Sequence, residues 1–337
     1  MPFASLARRQ IIGSLIGVAA LAVAAFAALP ASAQSAAQWP ERPVRLLVTV
    51  GAGGAADTLS RNLSQGFQQF ANGQPLIVEN RPGAGGTLAA GSVAREKPDG
   101  YTLFLAEVGA NAVAHALTTK LPYDPHTAFT PIVHVANLPA VLLMRTTLPH
   151  TTLAELLTAA KQQPGKFNYA AAGVGNWTHL FMAYLNSQAG TEMVNVVYRS
   201  GAEMLTSVLR GDTDVAPITV STSLSHVKEG RVRALAGFAS KPMPQLPDTP
   251  PASKTIPDFD ITVWHGIAGP AGMDPALVAR INGIFNQVLQ APTVRKAITE
   301  AQAAEVVGGT PQQFDAFIKS ELKRWPDVVK AAGITPQ

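Results

Sequence analysis

Val44-Arg45-Leu46-Leu47-Val48-Thr49-Val50 is followed by Gly51-Ala52-Gly53-Gly54, and then by apolar residues at helical spacing from Leu59 to Phe70. A β-branched run, a glycine loop and an amphipathic stretch in that order read as strand, loop and helix. The unit recurs. Pro75 to Val78 is a second short strand, closed by Glu79-Asn80-Arg81-Pro82-Gly83-Ala84-Gly85-Gly86, with a helix predicted from Thr87 to Arg95. Tyr101 to Leu105 is a third, with Val108 to Leu117 helical after it. Strands alternating with helices at this spacing predict a parallel α/β sheet.

A second series starts after Leu138-Pro139. Strands are expected at Val141 to Met144, Phe167 to Ala171, Val194 to Val197 and Val215 to Ile218, and helices at Leu153 to Lys161, Thr178 to Gln188 and Ala202 to Leu209. The proline-rich stretch Pro242 to Pro257 reads as an exposed connection, after which Ile261 to Ala268 returns as a strand to the first half. Helices from Pro275, Pro292 and Pro311 follow, each with proline in its first turn, where the missing N–H costs nothing. A chain that leaves one α/β lobe, builds a second and comes back makes a hinged molecule with a cleft. The expected division is residues 34–138 and 259–337 for lobe 1 and residues 139–258 for lobe 2, each lobe a mainly parallel sheet flanked by helices.

The chain has 337 residues, no cysteine, 14% charged residues and a net charge of +4. The absence of cysteine excludes a disulfide scaffold, a thiolate metal site, a cysteine nucleophile and a lipid-anchored N-terminus. The bases are dispersed, so nucleic acid is not an expected partner. Arg8-Arg9, an apolar run from Ile11 to Leu29 and Ala31-Ser32-Ala33 read as an export signal over residues 1–33. The alternative is a membrane anchor, but Pro30 and the Ala-x-Ala motif favour cleavage. Export by the general or the twin-arginine route would place the mature chain in a periplasm.

Gly51, Gly53 and Ala56 satisfy the G-x-G-x-x-A pattern of a dinucleotide site, with Glu79 closing the next strand at loose spacing. An exported NAD(P)-dependent oxidoreductase is therefore one reading. No G-x-S-x-G, H-E-x-x-H or paired-histidine motif is present, and no metal or other cofactor is expected. Of seven histidines only His179, just after a glycine loop, is placed to meet a ligand. The others, His265 among them, read as packed or surface residues. What repeats is a glycine loop between strand and helix, at Gly53-Gly54, Gly85-Gly86 and Gly173 to Asn176. Helix N-termini carry unpaired N–H groups and partial positive charge, so three such loops around a cleft suggest clamping of a small anion.

Several spaced motifs bear on the choice. Val78-Glu79-Asn80-Arg81-Pro82-Gly83-Ala84-Gly85-Gly86, Lys97-Pro98-Asp99-Gly100-Tyr101-Thr102-Leu103, Leu121-Pro122-Tyr123-Asp124-Pro125, Tyr198-Arg199-Ser200-Gly201-Ala202 and Gly308-Gly309-Thr310-Pro311 resemble the tripartite tricarboxylate transporter substrate-binding proteins, the Bug family. The resemblance runs from Trp39 to about Gly333. It implies a monomeric periplasmic binding protein of Venus-flytrap, type II-like architecture. Such a protein catalyses nothing and hands a small organic carboxylate to transporter membrane subunits, or presents it to a sensor kinase. Carried over residue by residue, it implies ligand contacts at Gly53, Gly54, Ala55 and Asp57 on one side. Gly173, Gly175, Thr178, His179, Arg199, Thr219 and Ser221 are implied on the other. Asp57 reads equally as a first-turn acid on the helix dipole, and Arg199 as an ion-pair partner framing the cleft.

The departures from the family pattern bear on the ligand. Thr49-Val50-Gly51-Ala52-Gly53-Gly54 lacks the family's aromatic ring and prolines. Trp177 stands where a small residue is usual, and could stack on a flat ligand or cover a gap. Glu107 stands where the family has a small polar residue. Facing the cleft it would repel a multiply charged anion, unless it points to solvent or pairs with a base. The expected ligand is a monocarboxylate with an amino, cationic or aromatic part.

Overall fold

The computed structural model describes residues 38–118 and 120–331, and the export signal expected over residues 1–33 lies outside the described residues. In the first series β1 (Val44–Val48) leads into α1 (Ala55–Phe70), and β2 (Leu76–Asn80) into α2 (Thr87–Val93). Then β3 (Thr102–Glu107) leads into a wide helical turn at Gly109–Val113 and α3 (Ala114–Leu117). β4 (Phe129–Leu138) carries the chain to the second series. This comprises β5 (Ala140–Arg145), α4 (Leu153–Gln162), β6 (Asn168–Ala171), α5 (Trp177–Ala189), β7 (Val194–Val197), α6 (Gly201–Arg210), β8 (Val215–Thr219), α7 (Val220–Lys228) and β9 (Val232–Gly237). β10 (Val263–Pro270) returns to the first series, followed by α8 (Pro275–Gln290), α9 (Pro292–Lys296), β11 (Glu305–Gly308) and α10 (Pro311–Ala331).

These strands form two sheets, one of six strands in the order β11-β4-β10-β3-β1-β2 and one of five in the order β7-β6-β8-β5-β9. Each sheet with its helices is one lobe of an α/β, Venus-flytrap architecture. Both sheets are mixed. β1, β2 and β3 pair in parallel, as do β6, β7 and β8, while β5 and β10 run against their neighbours. The reason is topological. β3 and β8 end at the boundary between the lobes, and a strand entering a lobe across that boundary must start where they finish, hence Ala140 opposite Thr219 and His265 opposite Glu107. The same crossing strands bring the C-terminal ends of the parallel strands of both lobes face to face, where α/β proteins hold their ligands.

The helices are held by their apolar stripes. Leu59, Leu63 and Phe67 of α1 recur every fourth residue and are fully buried, with Phe67 against Phe285 of α8 at 5.3 Å between ring centroids. Burying each is worth roughly 1.5–3 kcal/mol. The C-terminal helix reaches further than lobe 1. Glu321 of α10 accepts hydrogen bonds from the indoles of Trp264 and Trp325 at 2.9 and 3.0 Å, and Trp325 stacks on Phe181 of α5. The helix thus packs against both lobes and spans the boundary opposite the cleft's floor strands.

Candidate functional site

Between the lobes lies a partly open cavity of about 40 Å³, room for a few water molecules. Val50, Gly54, Ala55, Ala56, Glu107 and His265 line it from lobe 1, and Ala172, Asn176, Trp177, Thr178, Thr219 and Thr222 are among its lobe 2 lining. Among the described residues, no lysine or arginine lines it.

The rim is closed by backbone. The Gly51 N–H donates to the carbonyl of Arg199 at 3.0 Å, a hydrogen bond from one lobe to the other. Gly85 sits at φ +63°, and a Cβ there would lie 2.3 Å from the carbonyl oxygen of Val174. One on Gly109 would lie 3.0 Å from that of Gly175. Only residues without side chains let these segments meet.

The walls supply hydrogen-bonding groups. α1 starts at Gly54, which has no side chain to cap it, so the first-turn N–H groups at Ala55 and Ala56 are left at the cavity wall. Across from them, α7 starts at Thr219, which does not cap its own helix. Its hydroxyl pairs instead with that of Thr222 at 3.0 Å, with the Ser221 hydroxyl at 3.5 Å. Asn176 caps α5, its Oδ1 accepting from the N–H and the hydroxyl of Thr178 at 3.1 and 3.0 Å, while its Nδ2 is buried with no partner. The Thr178 hydroxyl oxygen in turn accepts the Ala172 N–H at 2.8 Å.

The floor is ionisable. Glu107 ends β3 directly opposite His265 on β10, and the two are 1% and 2% exposed. The Thr49 hydroxyl donates to Glu107 Oε1 at 2.5 Å. Burial pushes the Glu107 carboxyl up to about 7, against the pull of the Thr49 hydrogen bond. Burial, helped by His134, pushes His265 down to about 3, so its ring is neutral, and neither ring nitrogen has a partner.

With that geometry the sequence family is decided by one match: the tripartite tricarboxylate transporter family receptor profile covers residues 59–334. The chain belongs to this family. The chain is 30% identical to the protein BugT of Bordetella pertussis over 325 residues, 96% of each chain. Its fold is similar to that of the periplasmic binding protein BugD, with TM-score 0.84, 29% identity and coverage of 89% of this chain and 100% of that one. It is also similar to MatC of Rhodopseudomonas palustris, solved with bound malate, with TM-score 0.82, 31% identity and coverage of 86% and 100%.

Within the receptor, six of the residues singled out in the sequence reach the cavity: Gly54, Ala55, Glu107, Trp177, Thr178 and Thr219. Trp177 is buried edge-on against Phe181, 5.1 Å between centroids. The rest surround it. Gly53 gives its N–H to Asp57 Oδ2 at 3.1 Å, and Asp57 also accepts from Arg61 at 3.0 Å. Burial raises the Asp57 carboxyl, but these two hydrogen bonds outweigh it and hold it below the usual range. Asp57 therefore braces the loop. His179 Nδ1 accepts the Gly175 N–H at 3.4 Å, and burial lowers its basicity. Gly173 and Gly175 belong to the rim, and Ser221 lies outside the lining. Arg199 has an exposed side chain and contributes its carbonyl. Asn176 closes the third glycine loop, whereas His265 and Thr222 line the cavity without any motif to announce them. For His265 the signal was strand register, since Glu107 and His265 are partners only once β10 is known to run against β3.

Proposed function

We propose that this receptor captures a small organic carboxylate between its lobes in the periplasm and delivers it to the membrane subunits of a tripartite tricarboxylate-type transporter, without catalysing a reaction. The observation that carries this reading is the cavity walled by both lobes: a ligand bound in it contacts both at once and so favours the closed state. The anion finds uncapped helix starts, hydroxyls and the Asn176 amide, a neutral donor set suited to a carboxylate. The malate bound to MatC supports the ligand class.

The dinucleotide reading has no such support. The Gly51 and Gly53 N–H groups that would hold a pyrophosphate are spent on Arg199 and Asp57. A thermal-shift screen of the full-length chain against malate, other short carboxylates and NAD(P) tests the choice. Ligands that bind only the native state raise Tm by mass action. A shift with a carboxylate and none with NAD(P) is expected; a shift with NAD(P) alone would overturn the proposal.

A further inference from the structure

Resting on the carboxylate-binding reading above, we infer that Glu107 and His265 form a subsite for the ammonium group of the ligand, making the preferred ligand an amino-bearing monocarboxylate. The cavity's ionisable side chains are these two, side by side on β3 and β10. His265 is neutral and buried, and both ring nitrogens lack partners, so one lone pair awaits a donor. Glu107 has Oε1 engaged by a neutral hydroxyl and, among the described residues, forms no ion pair.

The groups around it supply none. Thr49, just past β1, is neutral, and Asn111 accepts the Glu107 N–H at 3.0 Å. The Tyr123 hydroxyl, donating to the Ala110 carbonyl, is held protonated by burial and by Glu107. His265 on β10 and His134 on β4 behind it are both pushed down by burial, His134 to about 4. A second ligand carboxylate at this floor would set like charges together among buried side chains, whereas an ammonium supplies the missing cation. The ligand's single carboxylate is left to Asn176 Nδ2 on lobe 2 and the uncapped α1 start on lobe 1.

Isothermal titration of the full-length chain with matched pairs tests this: malonate and glycine, succinate and β-alanine, glutarate and γ-aminobutyrate, with malate as reference. Each pair exchanges one carboxylate for an ammonium at nearly constant reach. The amino member of the best pair is expected to bind about tenfold tighter or more near pH 8. Its affinity should fall as pH drops below about 7, because a proton on Glu107 displaces the ammonium's partner. Glu107→Gln should remove both the preference and the pH slope. Dicarboxylates binding as tightly, or binding that weakens as pH rises in the wild-type chain, would overturn the inference while leaving the carboxylate reading intact. Failure of all seven compounds to bind would remove both.

Discussion

The rim and the floor of the cleft are built in opposite ways. At the rim, Gly51, Gly85, Gly109 and the Gly173–Gly175 loop bring backbone against backbone, with no side chain and no charge. At the floor, Glu107 and His265 place two buried ionisable side chains in a small cavity that Asn176 also lines. The rim can report only that the lobes have met. The floor can tell one ligand from another. Closure and selectivity are therefore carried by different residues, and substitutions should separate them.

Gly85→Val is expected to have the largest effect. Its Cβ would fall inside contact distance of the Val174 oxygen, in a backbone region that valine avoids. Closure should be blocked at a cost of order 3 kcal/mol, roughly a hundredfold in Kd, with the far-ultraviolet dichroism unchanged. Titration of a binding carboxylate, with small-angle scattering to read compaction, checks it; unchanged affinity would mean the rim contact is not part of the bound state.

Glu107→Gln sharpens the other side of the comparison. The folded-state carboxyl is raised from 4.5 to about 7, so its contribution is fully present below 4.5 and is lost as pH rises towards 7. The unliganded variant should then exceed the wild-type chain by about 3 kcal/mol near pH 8 and match it near pH 4, as read by urea unfolding. A pH-independent difference would place Glu107 in contact with water or a cation. Asp57→Asn should cost about 1 kcal/mol of stability at neutral pH by loosening Gly53 and Arg61, with little change in ligand affinity, because Asp57 braces the loop from outside the cavity. Arg199→Ala, with its exposed side chain and backbone-only contact, should leave Kd within about twofold. A larger loss there would bring its guanidinium into the site.

Much of the architecture was legible because strand, glycine loop and helix repeat with clear periodicities, and α1, α4, α5, α6 and α8 fall where the apolar spacing puts them. Four elements were not. β4 carries Pro131 and His134 within its run, β9 (Val232–Gly237) carries Arg233 and two alanines in place of a β-branched run, and α7 follows β8 without a loop. β11 follows the helix expected from Pro292, which breaks into a wide turn at Ala297–Ala301. The site divides along the same line as the cleft. Glycine loops are conspicuous in a sequence, but a glycine marks close approach of something and does not say whether that is an anion or another lobe. At Gly85 it is the other lobe. His265 was not legible, since its meaning depends on a partner 158 positions away in the chain brought opposite by an antiparallel entry.

The most direct measurement is a crystal structure of the receptor with its tightest-binding carboxylate. The expected result is a ligand enclosed between Ala55–Ala56 and Thr219–Thr222, its carboxylate towards the helix starts and its other end against Glu107 and His265, with Gly85 seated on Val174. A ligand bound outside the cleft, such as in the surface depression beside Ser240 and Lys241, or one that leaves Glu107 and His265 untouched, would contradict it.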